Sequence, residues 1–518
     1  MTDESRGSQT QREPGARGRR EIAADAAAHA LRLLHKVRAN TTGELTDAVP
    51  KPHAIVIGGG VAGLVAAHEL VQTGHRVTVL EAAQNFGGCL RRMQVAGLEI
   101  DAGAESFAVR SNIVADYLAE LDLTEQIVPT SGVSAWLTQQ QDEQVRSHPL
   151  PSSAMLGIPS QLGADSLRNL IGRAAAVRAA ADLVAPMPKK WASEKLSIGE
   201  VVRQRMGSAV LEQLVSPVVA GVYSTDPNQV DIDGAAPGLR QAMQDTGSLA
   251  RAVAKLQQDA PAGSRVAGLN GGMYTLITTL VAELQAAGVN LVRNAPVSSV
   301  EYNQYVQQPF TVHSHQELLQ ADKLVVATEA DAALSLLHGV LPDWQTAKDS
   351  RPANSIALVI LVVDKPELDE APRGSGVLVT AGGPIKAKAM THSTAKWPWL
   401  AEETGPGTHV LRLSYGRIGQ HETLVESGND AALLSQAIAD ASNILGVALH
   451  EEDVLGSAIS RFSDMVPLIG TAQRERNASL EAQLATIPGL YAVGAWRSGT
   501  GLARVIAHTR AQLSVSAS

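Results

Sequence analysis

The chain has 518 residues, too many for one compact hydrophobic core, so two or three domains are expected. Hydrophobic residues make up 45% and charged ones 18%, the balance of a globular protein rather than a disordered one. Lys and Arg number 43 against 52 Asp and Glu, a formal charge of −9, which disfavours nucleic acid as a partner and obliges any anionic ligand to find a local cluster of cations.

Residues 1–51 read as an extension outside the fold. Met1 to Arg20 is rich in Arg, Gly, Gln and Ser and is expected to be disordered, while Ile22 to Val37 has the pattern of a short amphipathic helix carrying Arg32 and Lys36. A solvated tail and a contact with a partner or membrane surface are its two readings. The polar start lacks the apolar core of a secretory leader, and no apolar run reaches the roughly 18 residues of a membrane span. A cytoplasmic protein with at most peripheral membrane contact is therefore expected. Cys89 is the single cysteine, which excludes an intramolecular disulfide and a multi-thiolate metal site; no metal is expected.

The folded part opens with the most informative stretch. The apolar run His53 to Ile57 ends in Gly58-Gly-Gly60-Val-Ala-Gly63, an Ala-rich helical pattern follows, and His75 to Leu80 closes on Glu81. This is a βαβ dinucleotide fingerprint in its full context. Gly58 allows the tight turn, Gly60 lets the backbone approach a pyrophosphate, and Gly63 lets the helix pack closely on the strand. Glu81, 18 residues after Gly63, is placed to accept hydrogen bonds from an adenosine ribose and would repel a 2′-phosphate.

Next come Asn85-Phe-Gly-Gly-Cys-Leu-Arg91, whose paired glycines let a loop pass close to a ligand, and a strand running into Asp101-Ala-Gly-Ala-Glu-Ser-Phe107. Arg91 is a candidate cation for the diphosphate. From Leu150 to about Gln258 the pattern is helical, with an Ala-rich run Ser166 to Ala185 carrying Arg168, Arg173 and Arg178, and an amphipathic run Val201 to Val219. Strand signals return at Gly288 to Arg293, Val297 to Tyr302 and Lys323 to Thr328, the last beside an Ala-rich helix as in another strand of the nucleotide sheet. Ser355 to Val363, Gly376 to Thr380 and His409 to Tyr415 suggest a separate sheet. Gly489 to Gly494 reads as a strand that leads into Arg497-Ser-Gly-Thr-Gly-Leu502 and a closing helix. The chain thus leaves the nucleotide domain and returns to it.

Five segments in order, Val56 to Gly63, Asp101 to Phe107, Gly221-Val-Tyr-Ser-Thr-Asp-Pro227, Gly268-Leu-Asn-Gly-Gly-Met273 and Lys396-Trp-Pro-Trp-Leu400, carry a family resemblance over roughly residues 52–515. The chain resembles the FAD-dependent protoporphyrinogen/coproporphyrinogen III oxidases of haem biosynthesis, particularly those of Gram-positive bacteria. The nucleotide motif is shared with amine oxidases and phytoene desaturases; the segments around Gly221 and Lys396 discriminate. The resemblance implies an α/β fold, with a discontinuous Rossmann-like FAD-binding domain (52–145, 261–340 and 461–518), a helical substrate region (146–260) and an α+β substrate sheet (341–460).

By the same resemblance, Gly58, Gly59, Gly60, Val61, Ala62 and Gly63 would hold the FAD pyrophosphate, with Glu81 and Ala82 at the adenosine ribose. Gly88, Arg91, Gly103, Ala104, Glu105 and Ser106 would line the diphosphate and flavin side, Val297 would give backbone contacts to adenine, and Gly499, Thr500 and Gly501 would lie against the isoalloxazine. The implied reaction is dehydrogenation of coproporphyrinogen III, or protoporphyrinogen IX, to the porphyrin: flavin N5 takes hydride from a meso carbon, pyrrole protons leave, and O₂ reoxidises the flavin. The protein's task is then to position carbon over N5 in a dry pocket. No obligatory base stands out; His392, Lys396 and Arg504 are the candidates. Four propionates call for cations, and Lys386, Lys388, Lys396 and Arg504 are the ones expected to meet them.

The pattern also departs from the family. Asn85 stands where an Arg precedes the paired glycines. Arg461-Phe-Ser-Asp-Met-Val-Pro-Leu-Ile-Gly470 replaces an aromatic-containing segment; Phe462 takes the Trp position and is expected to touch the flavin, whereas Leu468 and Ile469 lack polar handles and the family's His is missing. Ala503-Arg504 replaces a Pro-rich turn. Two other readings stay open: an amine oxidase or carotenoid desaturase type of flavoprotein, and a catalytically silent flavin-binding scaffold. The oligomeric state is open as well.

Overall fold

The computed structural model describes residues 51–141, 144–151, 154–223, 226–258, 266–315, 317–341, 355–417, 425, 428–462 and 471–514. The expected extension 1–50 with its helix Ile22 to Val37, and the departure at 463–470 with Leu468 and Ile469, lie outside the described residues.

A five-stranded parallel sheet forms the nucleotide domain. Its order is Asn290–Val292, Arg76–Leu80, His53–Ile57, Lys323–Val326 and Leu490–Ala492, so three separated stretches of chain build it. His53–Ile57 is buried throughout, as a central parallel strand covered on both faces must be. Its side chains alternate between two cores. Ala54 and Val56 pack under the helices Val61–Gln72, Tyr274–Ala286 and Leu502–Ser514, while Ile55 and Ile57 meet Ala330–Val340 and the meander Val297–Tyr302, Phe310–Ser314 and Leu318–Ala321. The fold is α/β, with the nucleotide domain discontinuous.

A seven-stranded mixed sheet takes the order Val454–Phe462, Ile356–Asp364, Thr408–Tyr415, Ala389–His392, Gly376–Val379, Trp136–Gln141 and Gln144–Pro149. The expected boundary at residue 145 moves back, because Trp136–Gln141 bonds in parallel to Gly376–Val379 and thereby belongs to this sheet. One face, with Leu411 and Leu413, packs on the helix Asp430–Leu445; the other, with Ile360, Val362 and Val410, covers Val95, Ile100 and Trp397. Position 412 therefore faces the Arg92–Val95 and Leu98–Asp101 hairpin.

The helical region has its own core around Trp191. The two long runs expected there are broken. Gly172 (φ +81°) splits the first into Asp165–Ile171 and Arg173–Ala180, and Gly207 (φ +95°) ends Ile198–Met206. Both conformations favour glycine, a signal that outweighs the helical periodicity on either side. Buried Asp182 ties the region together: it accepts from Arg205, from the Ser248 hydroxyl and from the Leu249 and Ala250 N–H groups.

Candidate coenzyme and substrate site

The fingerprint turn is shaped by backbone contacts. Gly58 has φ +106°, and a Cβ there would lie 2.7 Å from the Ala327 carbonyl oxygen; a Cβ on Gly63 would lie 1.8 Å from the Gly58 oxygen. Only glycine fits at either place. At Gly60 a Cβ would meet nothing within 4 Å, so the cradle opens on that side. The helix Val61–Gln72 starts at Gly60 with no side-chain cap and no acid in its first turn, which leaves its N–H groups and positive end for an anion. These features fit a pyrophosphate.

Glu81 is held by backbone N–H groups. Its Oε2 accepts the Gly59 N–H at 2.6 Å and its Oε1 the Ala83 N–H at 2.8 Å, with exposed Ala82 between. Its own N–H donates to Val292, and its carbonyl accepts from Ala295 at 2.9 Å, which brings the start of Val297–Tyr302 next to the second strand. Glu81 and Val297, far apart in sequence, thus come to one end of the sheet.

A ladder of backbone bonds then leads away from the phosphate turn. The Gly87 N–H donates to Gly59, Gly60 bridges Gly87, and Gly87 and Gly88 both take positive φ. The Cys89 and Arg91 carbonyls accept from Ala104 and Ala102, each at 2.9 Å. The Arg91 guanidinium lies 5.3 Å over the Phe462 ring, and a Cβ on Gly103 would come 3.0 Å from that ring and 2.2 Å from the Cys89 oxygen. Arg91, Gly103 and Phe462 therefore meet as a set. Burial pushes the Cys89 thiol up, away from thiolate chemistry.

Beyond the ladder stands a buried ion cluster. Glu105 Oε1 accepts from Lys396 Nζ at 2.6 Å, and Oε2 accepts from Arg412 at 2.6 Å and from the Ser393 hydroxyl at 3.1 Å. A second Arg412 nitrogen donates to the Gly103 carbonyl. The side chains of Glu105, Lys396 and Arg412 are 11%, 17% and 7% exposed. Burial by itself would raise the Glu105 carboxyl, but the charges and hydrogen bonds of Lys396 and Arg412 outweigh it and hold it at about 2. One carboxylate stands here against two cations, and the Asp101 carboxyl is close enough to feel both Arg412 and Glu105. Arg412 was not singled out in the sequence; the signal was an arginine at the centre of the apolar strand Thr408–Tyr415. Asp101, at the start of the same loop, caps the helix Tyr274–Ala286 by accepting the Met273 and Tyr274 N–H groups, and burial raises it to about 6 against those bonds.

The remaining candidates separate. Lys396 is bound to Glu105 rather than standing open for a propionate. Lys388 is buried, with its amine donating to the Gly416 carbonyl. Lys386 is exposed, and its backbone is fastened to Asp440 of the helix on the opposite face of the sheet. Neither lysine joins the cluster. His392 stands opposite Leu411, whereas Thr391 stands opposite Arg412, so strand alternation turns His392 away from Glu105. It pairs instead with His409 at 3.0 Å, and burial followed by that neighbour lowers it to about 3; it is neutral at physiological pH and does not reach the cluster. Gly499 (φ +86°), Thr500 and Gly501 (φ +104°) form the turn after the fifth sheet strand. The Arg504 guanidinium folds back over Gly499 and donates to the Gly234 carbonyl of the helical region. Among the described residues no group of three or more His, Cys, Asp or Glu could hold a metal, and no helix is long and apolar enough to cross a membrane.

Residues 61–507 match the family described as flavin containing amine oxidoreductase. A protein of Mycobacterium tuberculosis (strain ATCC 25618 / H37Rv) named coproporphyrinogen III oxidase is 31% identical over 452 residues, covering 86% of this chain and 93% of its own. One of the same name from Bacillus subtilis (strain 168) is 25% identical over 475 residues, covering 90% and 97%. Among solved structures, a protein of Exiguobacterium sp. 255-15 assigned as a protoporphyrinogen oxidase superposes with a TM-score of 0.77 at 23% identity, covering 90% of this chain and 99% of its own. The FAD expected from the fingerprint agrees with a flavin-containing family.

Proposed function

Because the chain belongs to the flavin containing amine oxidoreductase family, we propose that it is an FAD-dependent oxidase that converts coproporphyrinogen III to coproporphyrin III with O₂ as acceptor, in the cytoplasm. The observation that carries this reading is the similarity to the mycobacterial coproporphyrinogen III oxidase along nearly the full length of both chains.

FAD, held in this cradle, supplies the two-electron acceptor. The chain's own residues bind and orient. Gly58 to Gly63 and the helix start would take the pyrophosphate, and Glu81, already aimed by two N–H groups, would take the ribose hydroxyls. Arg91, fixed on Phe462, would add charge to the diphosphate side. Lys396 and Arg412, tied to Glu105 and to the Gly103 carbonyl, would fix the Gly103 to Ser106 loop on the flavin side. None of these groups is free to act as a base, so the leaving protons pass to solvent or to the oxygen product.

The test is anaerobic. The purified flavoprotein is mixed with coproporphyrinogen III or protoporphyrinogen IX, loss of the oxidised flavin band is followed, and air is then admitted while porphyrin fluorescence and hydrogen peroxide are recorded. Bleaching by coproporphyrinogen III, and porphyrin after air, are expected. Bleaching by neither substrate removes the proposal, and faster bleaching by protoporphyrinogen IX moves it to the dicarboxylate.

A further inference from the structure

The turn after the fifth sheet strand hangs on two glycine joints. Gly494 (φ +124°) follows the strand Leu490–Ala492, Gly499 (φ +86°) opens the turn Gly499–Gly501, and a single helical turn, Ala495–Ser498, lies between them. Joints of this kind leave the backbone free to swing, so contacts outside the segment must set its direction. The segment leaves the carboxyl end of the parallel sheet, on the same edge as the fingerprint turn. There the Val493 N–H donates to Val326, the Ala327 N–H donates to Ile57, and Gly58 lies against the Ala327 carbonyl. Ligands of such sheets bind along that edge.

Arg497 supplies the contact. Only 2% of its side chain is exposed, yet its guanidinium donates to the Glu481 carboxylate and, at 3.5 Å, to the Asn477 carbonyl. The Asn477 amide donates in return to the Arg497 carbonyl at 2.9 Å. Glu481 and Asn477 belong to one helix, Thr471–Leu484, whose Leu480 and Leu484 are buried in the same core as Ile55, Ile57 and Trp496. The segment before the turn is thus gripped by side chain and by backbone from a helix seated on the sheet. The cation is costly to keep there. Burial pulls the Arg497 guanidinium down against the opposing pull of Glu481, and its Nε has no hydrogen-bond partner among the described residues. An apolar side chain of similar volume would pack without that cost, so what the arginine adds is direction. We propose that Arg497, held by Glu481 and Asn477, is a positioning residue that sets the turn Gly499–Gly501 against the isoalloxazine ring. The inference rests on the FAD reading above and adds to it the contact that fixes where the ring lies relative to substrate.

Flavin-loaded Arg497→Met is compared with wild type by the absorption of the bound flavin, by thermal midpoint and by anaerobic bleaching with coproporphyrinogen III, expressed per bound flavin. A shifted long-wavelength flavin band is expected, and a maximal bleaching rate lowered about tenfold with half-saturation within about twofold, since a misplaced ring loses rate before it loses binding. Arg497→Lys keeps the charge but cannot span both acceptors; it should restore the band and bring the rate to within about threefold of wild type. A lower midpoint for Arg497→Met with an unaltered band and rate makes the pair merely structural and overturns the proposal. If Arg497→Met does not hold flavin, Asn477→Ala, which cuts only the tether to the Arg497 carbonyl, decides: a shifted band supports the proposal and an unaltered one overturns it. Wild-type protein inert toward the porphyrinogen overturns the function proposed above, and the flavin band then decides this inference by itself.

Discussion

In the glycine turn, the Gly59 N–H donates to the Glu81 carboxylate across 22 positions of sequence, and the other features are properties of backbone: a positive φ, a close approach, an uncapped helix start. In the ion cluster next to it, Glu105 meets Lys396 across 291 positions and Arg412 across 307, and everything rests on charged side chains. The two are joined by the rungs Gly59–Gly87 and Cys89–Ala104. The cradle fails when a small atom is added. The cluster fails when a charge is removed. A local motif and a long-range one therefore stand side by side while obeying different physics.

The largest expected effect comes from breaking the cluster. Glu105→Gln leaves two buried cations without their carboxylate and should destabilise the protein by about 3–5 kcal/mol, read as a lower thermal or denaturant midpoint. Conversely, Gly63→Ala drives a Cβ into the Gly58 carbonyl; a cost of about 1–3 kcal/mol and loss of the bound flavin, measured by the visible spectrum, are expected. Retention of full flavin by Gly63→Ala would break the claim that the cradle depends on backbone contact.

Acid separates the two regions from their surroundings. Glu105 is depressed from 4.5 to about 2, so the stability it contributes is complete above about 4.5 and is lost as pH falls toward 2. His392 is depressed from 6.5 to about 3, so its contribution is complete above about 6.5 and is lost as pH falls toward 3, because the buried ring beside His409 must charge. His392→Gln should therefore flatten the decline from pH 6.5 downward, and Glu105→Gln only the part below 4.5. Melting curves across this range distinguish them. Glu81→Gln should weaken retention of FAD about tenfold and cost the flavin-free protein about 1–2 kcal/mol, since the amide can accept only one of the Gly59 and Ala83 N–H groups. The smallest effect is expected for Lys386→Ala, on the far face of the sheet: KM for the porphyrinogen unchanged and stability within about 0.5 kcal/mol. A raised KM there would return that lysine to the substrate site.

Legibility followed the same division. The glycines at 58, 60 and 63 and the carboxylate at 81 could be read from spacing, because a βαβ unit closes within about thirty residues and its turn admits few residue types. The return of the chain through Lys323–Val326 and Leu490–Ala492 was readable too, as continuous apolar runs of the kind buried on both faces. The broken helices were marked by Gly172 and Gly207, yet periodicity spoke louder than either glycine. The lysines expected to meet propionates were grouped by proximity in sequence, but Lys386 and Lys388 lie in the loop before the strand Ala389–His392 and Lys396 in the short helix after it, so each meets a different environment.

By itself, the sequence determined the nucleotide fold, its cradle and the family pattern, since these depend on local backbone geometry that residue types encode directly. Only the tertiary structure decided that Glu105 gathers Lys396 and Arg412, that Phe462 carries Arg91, and that His392 looks away. For Arg412, His392 and Phe462 this depends on which face of a distant strand a side chain occupies, a choice that a single step of register reverses, while Glu105 and Lys396 depend on how a loop and a short helix are brought together.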